Sequence, residues 1–166
     1  MTQQIKYPTG SKPAGFVAPA YRDKPKTANV PHPIEQDGEI LITAPKLYFI
    51  MPFPPLALSP NGRAHHHAKA SATADYRQHA YVVALGAIGR GARPKVDKAR
   101  TQIIAYRGRR NRRDRDNIAA SVKALWDGVT DAQVWADDSG VTHLPVVLAY
   151  DKQNPRLEIL IDWIDW

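Results

Sequence analysis

Residues 99–130, ARTQIIAYRGRRNRRDRDNIAASVKALWDGVT, place a strand, a basic arm and a helix in direct succession. Residues 99–106 contain β-branched and aromatic side chains and predict a strand. In the second part, apolar residues recur at helical spacing and predict a helix over about 117–130; they are Ile118, Val122, Leu125 and Val129. A strand followed by a helix in this way indicates an α/β or α+β domain.

The flanking segments extend this alternation. Two β-prone runs bounded by proline, Glu39–Thr43 and Lys46–Phe53, predict strands. A helix is expected next, capped by Ser71 or Thr73 and ending near Gly89, with an apolar stripe of Tyr81, Leu85 and Ile88. After the second helix, Val141–Tyr150 predicts a strand, and Pro145 inside it indicates an edge strand or a bulge. Arg156–Ile164 alternates apolar and polar residues and predicts a half-buried strand. The expected fold is a small mixed β-sheet packed with two main helices.

The composition divides the chain and limits its chemistry. Residues 1–38 hold six prolines and few large apolar residues, which predicts an extended or disordered extension before a domain at 39–166. The absence of cysteine excludes disulfides, thiolate catalysis and Cys-ligated metals. No apolar run approaches the ~20 residues of a membrane span, and the N-terminus lacks the apolar core of a secretory signal. We therefore expect a soluble, cytoplasmic protein with no membrane partner.

The net charge of +7 has an uneven origin. Residues 90–115 hold eleven Lys and Arg against two Asp, whereas residues 116–166 hold nine acids against three bases. Guanidinium groups match phosphate oxygens, so the arginine arm predicts phosphate binding, although a solvated charged loop is the alternative. The arm comprises Arg107, Arg109, Arg110, Arg112, Arg113 and Arg115.

Several aspartates lie close to the point where the sequence changes from basic to acidic. Asp114 and Asp116 lie two residues apart before the second helix, and the eight residues 131–138 are long enough to return Asp138 to the start of that helix. Three carboxylates beside an arginine arm would form an oxygen-only Mg²⁺ site suited to phosphodiester hydrolysis. By helix geometry, Lys123 and Asp127 share the polar face of Asp116, where a lysine could bind the scissile phosphate.

Each of these features also has a structural interpretation. Asp116 could be an N-cap, Asp137-Asp138-Ser139-Gly140 an ordinary turn, and Lys123 with Asp127 a surface ion pair. The run His65-His66-His67, with Arg63 and Lys69, is better suited to a solvated loop or DNA phosphate contact than to a zinc site. The occurrence of these features together, next to the basic segment, favours the Mg²⁺ site over the structural interpretations.

Three motifs in this order resemble the RusA family of Holliday junction resolvases. They are Arg112-Arg-Asp-Arg-Asp-Asn117, the helix Ser121–Thr130 with its Lys-Ala-x-x-Asp pattern, and Val134-Trp-Ala-Asp-Asp-Ser139. Phe53-Pro-Pro55 and Ser59-Pro-Asn61 are similar to the opening of the same family. The resemblance covers about residues 47–164.

The resemblance implies a RusA-like fold and a homodimeric endodeoxyribonuclease of phage or prophage origin, acting in the bacterial cytoplasm. Such enzymes depend on Mg²⁺, with Mn²⁺ as a substitute, and nick four-way DNA junctions symmetrically in recombination and repair. By position, Asp114, Asp116 and Asp138 would bind the metal, Asp137 would support them, and Lys123 would be the catalytic lysine. Lys123 stands three residues later than the family's spacing, at Ala120, would place it, and Gly140 replaces a longer polar residue.

Two other functions fit the same residues. One is a non-catalytic architectural DNA-binding protein in which the aspartates only cap and turn. The other is a Mg²⁺ nuclease that acts on flaps, single strands or RNA. Cleavage of a four-way junction, a linear duplex and a flap distinguishes the three.

Overall fold

The computed structural model describes residues 36–109 and 115–163. Of the predicted extension 1–38, residues 1–35 lie outside this range. The described chain forms six strands and three α-helices, with short 3₁₀ turns at Leu56–Leu58 and Asp138–Gly140. The strands are β1 Gln36–Asp37, β2 Leu47–Met51, β3 Ala99–Arg107, β4 Val141–His143, β5 Val147–Tyr150 and β6 Arg156–Trp163; the helices are α1 His66–Ile88, α2 Arg115–Ser121 and α3 Lys123–Asp131.

The strands form one mixed sheet, which confirms the predicted fold class. Its order is β1-β5-β3-β6-β2, and β4 pairs with the first half of β3. The pairs β3–β4 and β3–β5 are parallel, and the other pairs are antiparallel. The longest strand, β3, is thus the strand to which both the helical crossover and the C-terminal strand attach.

Different sets of residues pack against the two faces of the sheet. On one face, the pairs Ile103↔Ile159 and Ala105↔Leu157 lie in the core cluster shared with α1 and α3. On the other face, Ile104 and Leu160 pack with Ile42 in a smaller cluster. Both clusters bury their central residues almost completely, so β3 and β6 are interior strands.

The predicted strand Glu39–Thr43 is wrong, because a side chain takes the place of a strand partner. The backbone N–H groups of Leu41 and Ile42 donate to Gln102 Oε1 at 2.8 and 3.2 Å. Gln102 Nε2 in turn donates to the Glu39 carbonyl at 2.7 Å. The segment stays irregular although Ile42 is buried, since a buried amide satisfies its polar groups. The predicted strand Lys46–Phe53 is confirmed as the shorter β2.

Helix α1 starts at His66, five residues before the predicted cap Ser71. It ends as expected at Gly89, whose φ of 76° suits glycine and few other residues. Its fully buried positions are Tyr76, Ala80 and Ala84 instead of the larger predicted stripe, which is only partly buried. Small alanines at the contact let α3 approach α1 closely.

The predicted helix over 117–130 is two helices, α2 and α3, broken at Val122. Val122 has φ −96° and ψ 10°, and its carbonyl accepts from Leu125 N at 2.9 Å, a tight i+3 bond. Just before the break, the Ser121 hydroxyl donates to the Ile118 carbonyl at 2.9 Å. A serine that hydrogen-bonds to the preceding turn competes with the regular helical pattern and bends it.

The C-terminal strands also differ in detail. Residues 144–146 around Pro145 separate β4 from β5, which agrees with the expected interruption. Strand β4 lies at an edge, whereas β5 lies between β1 and β3. Strand β6 is buried on both faces, so the half-buried prediction is wrong: Glu158 is 1% exposed and accepts from the Arg156 guanidinium.

The crossing of α1 and α3 predicts a stability difference between two helical glycines. A Cβ at Gly128 would overlap the Arg77 carbonyl oxygen and lie 2.9 Å from the Ala80 Cβ, whereas a Cβ at Gly86 meets nothing within 4 Å. We expect Gly128→Ala to lower the free energy of unfolding by about 1–3 kcal/mol. Gly86→Ala should raise it by about 1 kcal/mol through helix propensity.

Urea denaturation of the two variants and the wild type measures both changes. A Gly128→Ala variant as stable as Gly86→Ala would contradict the close helix crossing.

Candidate functional site

The candidate carboxylates lie on one crossover connection. Parallel strands cannot be joined by a tight hairpin, so the chain leaves the end of β3 and returns to its start before β4 can pair with it. Helices α2 and α3 form this return. Asp116 opens the connection and Asp138 closes it, and both side chains are exposed. Asp114, with residues 110–113, lies outside the described residues.

The start of α2 is held from two sides. Arg115 forms an ion pair with Asp37 at 2.6 Å, next to β5. On the other side, Asn61 Nδ2 lies 3.5 Å from Asn117 Oδ1, which brings the loop 59–62 to the first turn of the helix. Asp116 sits between these two anchored residues, in the first turn, where a carboxylate favours the helix dipole.

The returning segment is anchored on α3 by a buried indole. Trp135 is 1% exposed, and its Nε1 donates to Thr130 Oγ1 at 2.7 Å. The Thr130 hydroxyl donates in turn to the Trp126 carbonyl at 3.0 Å. Val96 pairs with Trp135 as an isolated parallel bridge. Together these bonds bring the chain alongside α3 just before the two aspartates.

The two aspartates at the end of the crossover have different surroundings. Asp137 Oδ1 accepts from Ser139 N at 2.7 Å, and this bond lowers the pKa of the Asp137 carboxyl. Asp138 begins the following 3₁₀ turn. Asp137 thus builds the turn, as the structural interpretation of the motif expected, and leaves Asp138 as the first carboxylate of the turn itself.

A close backbone contact explains why residue 140 is glycine instead of a longer polar residue. A Cβ on this residue would overlap the carbonyl oxygen of Asp97, which leads into β3. The turn therefore approaches the backbone at the start of β3 more closely than any side chain allows. This contact holds the end of the turn that begins at Asp138 against the start of β3.

His143, which no sequence motif marks, lies at the end of the short strand that follows the Asp138 turn. Its Nδ1 is 2.7 Å from Thr101 Oγ1, and its ring centroid is 4.8 Å from that of Trp126. Packing of part of the ring against the protein desolvates it and lowers the pKa of His143, and the Asp138 carboxylate opposes this effect. No periodicity marks the residue, because its neighbours are brought together only by strand pairing. The nearest sequence feature that could have drawn attention to His143 is the Asp-Asp-Ser-Gly turn, which ends three residues before it.

Lys123 opens α3 with an exposed side chain. The prediction that it shares a helix face with Asp116 assumed one continuous helix, and that premise is wrong because of the break at Val122. The hydrogen bond to Asp131 is the main cause of the raised pKa of Arg77, and Asp127 adds a smaller attraction, so Asp127 lies toward α1. The role of Lys123 stays a prediction.

The donor chemistry suits a hard divalent cation. Asp116 and Asp138 offer carboxylate oxygens, which Mg²⁺ and Mn²⁺ prefer as ligands. Within residues 36–109 and 115–163, no group of three His, Cys, Asp or Glu is placed to hold a metal. The predicted three-carboxylate set includes Asp114 and therefore extends beyond the described residues.

Basic side chains lie at the start of the crossover and just after the loop that contacts α2. Arg107 ends β3 and Arg109 follows it by two residues, and the backbone of Gly108 between them lies close to the Pro155 ring. Arg63 and Lys69 are exposed beside the three histidines, of which His66 and His67 belong to α1 instead of the expected loop. The histidine rings pack on one another with centroids 3.8–5.4 Å apart. Arg110, Arg112 and Arg113 of the arm lie outside the described residues.

The sequence comparisons identify one family. Residues 52–162 match the family model described as endodeoxyribonuclease RusA. No curated protein matches the chain. The matched range contains the whole crossover. Separately, no helix in the described ranges is long and apolar enough to cross a membrane.

The buried indole predicts the energetic importance of Thr130. Thr130→Val keeps the shape of the side chain but removes the acceptor of Trp135 Nε1, so the free energy of unfolding should fall by about 1–3 kcal/mol. The control is Thr142→Val on exposed β4, where valine suits a strand and no loss is expected. Chemical denaturation measures both. Equal stability of the two variants would contradict the indole anchor.

Proposed function

The chain belongs to the RusA endodeoxyribonuclease family, and we propose that it is a Mg²⁺-dependent enzyme that resolves four-way DNA junctions by paired, symmetric nicks. The observation that carries the proposal is that the family match spans the crossover bearing Asp116 and Asp138. The substrate and the metal go beyond the family membership itself. In this role the protein would act in DNA recombination and repair.

The metal site would consist of Asp114, Asp116 and Asp138. A bound Mg²⁺, or Mn²⁺ in its place, would neutralise charge on the scissile phosphate and lower the pKa of an attacking water. The hydrogen bond from Ser139 N to Asp137 Oδ1 supports this arrangement, because it holds the backbone of the turn that begins at Asp138. Lys123, exposed at the start of α3, would bind the scissile phosphate or stabilise the leaving oxygen.

The basic residues would hold the DNA backbone. Phosphate contacts position a nucleic acid without reading its sequence, which suits an enzyme that selects a branched shape. Arg109 and Arg63 are both exposed, and they belong to separate segments that border the crossover. The full proposed set is Arg63, Lys69, Arg107, Arg109, Arg110, Arg112, Arg113 and Arg115.

Paired nicks require two active sites. A four-way junction has two-fold symmetry, and a two-fold homodimer presents the same site to two opposite strands. We therefore propose a homodimer that acts in the cytoplasm of a bacterial host, encoded by a phage or prophage.

Removal of either described carboxylate should abolish cleavage. Asp116→Asn and Asp138→Asn each remove a metal ligand worth several kcal/mol of transition-state stabilisation, which corresponds to about a thousand-fold or more in rate. Binding of the junction should persist or tighten, because a negative charge near the phosphates is lost. The matched control Asp75→Asn makes the same change on α1, outside the crossover, and should cleave like the wild type.

Cleavage is measured on a synthetic four-way junction, a linear duplex and a flap, each with Mg²⁺ and with EDTA. Preference for the junction supports resolution, and equal or better cleavage of flaps or RNA would assign a different nuclease activity. Binding without nicking in any divalent metal would favour the architectural protein. Full cleavage by Asp116→Asn or Asp138→Asn would remove the proposed site.

The salt dependence of binding tests the cationic surface. Arg63→Gln and Lys69→Gln should each reduce the slope of log K against log salt by about 0.9 on duplex arms, since one fewer counterion is released per lost phosphate contact. The charge-neutralising control is Arg77→Gln, because Arg77 is already engaged with Asp131 at 2.6 Å. Fluorescence anisotropy over a salt series gives the slopes. Identical slopes for all three variants and the wild type would place the DNA elsewhere.

A further inference from the structure

His143 is a polar side chain next to the crossover that belongs neither to the proposed metal site nor to the arginine arm. It ends β4 and lies opposite Thr101 in the parallel pairing with β3. Thr101 is 1% exposed, whereas His143 is exposed. One edge of the imidazole therefore faces the protein interior and the rest of the ring reaches the surface.

The hydrogen bond to Thr101 fixes which nitrogen carries the outward proton. Within the described part of the chain, the Thr101 hydroxyl has the His143 Nδ1 as its hydrogen-bond partner, at 2.7 Å. If the hydroxyl only accepted from Nδ1–H, its own buried proton would have no acceptor, which is costly. Donation from the hydroxyl to Nδ1 avoids this and leaves the proton on Nε2. A doubly protonated ring also carries a proton on Nε2, so this N–H is present in either charge state.

The position of the ring is fixed as well. The imidazole packs on the Trp126 indole with centroids 4.8 Å apart and an interplanar angle of 31°. Trp126 is itself held next to Trp135, at 6.4 Å between centroids. The ring thus has contacts on one face and one edge, and Nε2 lies on the side away from Thr101. A donor that is oriented in advance loses little entropy when a ligand binds.

The acidic turn lies within electrostatic range of this donor. Asp138 begins the 3₁₀ turn that leads directly into β4, which His143 ends. A phosphodiester that approaches Asp138 through a divalent cation would bring its free oxygens toward the same surface. A neutral or cationic N–H donor suits those oxygens, whereas a further carboxylate at this position would repel them.

We propose that His143 Nε2–H donates a hydrogen bond to a phosphate oxygen of the DNA strand held at Asp138, and so acts as a substrate-positioning residue. The inference rests on the proposed function, because it takes the DNA strand to lie at the crossover. Thr101 is the buried residue that orients the donor. The ring packing on Trp126 sets its direction.

Two substitutions separate the donor from the packing. His143→Phe keeps an aromatic ring against Trp126 but has no N–H. His143→Gln loses the ring but can place an amide N–H close to the position of Nε2. If His143 only packs, the Phe variant is the milder of the two; if it binds phosphate, the Gln variant is.

The experiment measures kcat and KM for Mg²⁺-dependent cleavage of a four-way junction, with thermal unfolding of each variant as a control. We expect His143→Phe to reduce kcat/KM roughly 10- to 100-fold, the range for one hydrogen bond to a charged group, and His143→Gln to recover most of that loss. Wild-type activity in His143→Phe, or a Gln variant as impaired as Phe, would overturn the proposal.

Chemical rescue covers the case in which His143→Phe unfolds. Added imidazole should restore cleavage by His143→Ala, and a failure to do so would count against the donor role. Failure of the wild type to cleave any junction would instead refute the proposed function. The two failures are therefore distinguishable.

Discussion

The parallel pairing of β4 with the first half of β3 is the constraint on which the arrangement of the crossover depends. It requires the chain to return from the end of β3 to its start, and α2 with α3 provide that return. Asp116 and Asp138 stand at the two ends of this connection. The pairing also brings His143 opposite Thr101, 42 residues earlier in the chain, and lets Gly140 contact the Asp97 carbonyl. One set of backbone hydrogen bonds thus positions the acidic turn and its neighbouring histidine together.

The charge distribution follows the same connection. The arginine-rich segment ends where the crossover begins, and the acidic excess starts at Asp116. Exposed arginines attract phosphates at long range and are screened by salt, whereas carboxylates would repel them unless a cation intervenes. A basic surface around an acidic turn therefore suits a polyanion held against a divalent metal. The basic surface or the acidic turn alone would not indicate this function, since basic surfaces and Asp-Ser-Gly turns are both common.

Several parts of the fold could be predicted because they depend on local chemistry. The strands around residues 47–51 and 99–107, the end of α1 at Gly89 and the interruption at Pro145 follow from side-chain pattern and from glycine and proline. The errors arise where a distant residue replaces a local partner. Gln102 holds the irregular segment at residues 39–42, and the hydrogen bond of Ser121 to Ile118 accompanies the break between α2 and α3. At the candidate site the aspartates were visible as a motif, whereas His143 depends on the pairing of β3 with β4, which periodicity does not reveal.

The central proposal is that Asp116 and Asp138, from the two ends of the crossover, bind one divalent cation at a bound DNA strand. A crystal structure of the protein with a four-way junction and Ca²⁺, which occupies oxygen sites while slowing cleavage, measures this directly. The account predicts carboxylate oxygens of both residues at about 2.3–2.6 Å from the same ion. An ion bound elsewhere, with Asp116 only capping α2 and Asp138 only turning the chain, would contradict it.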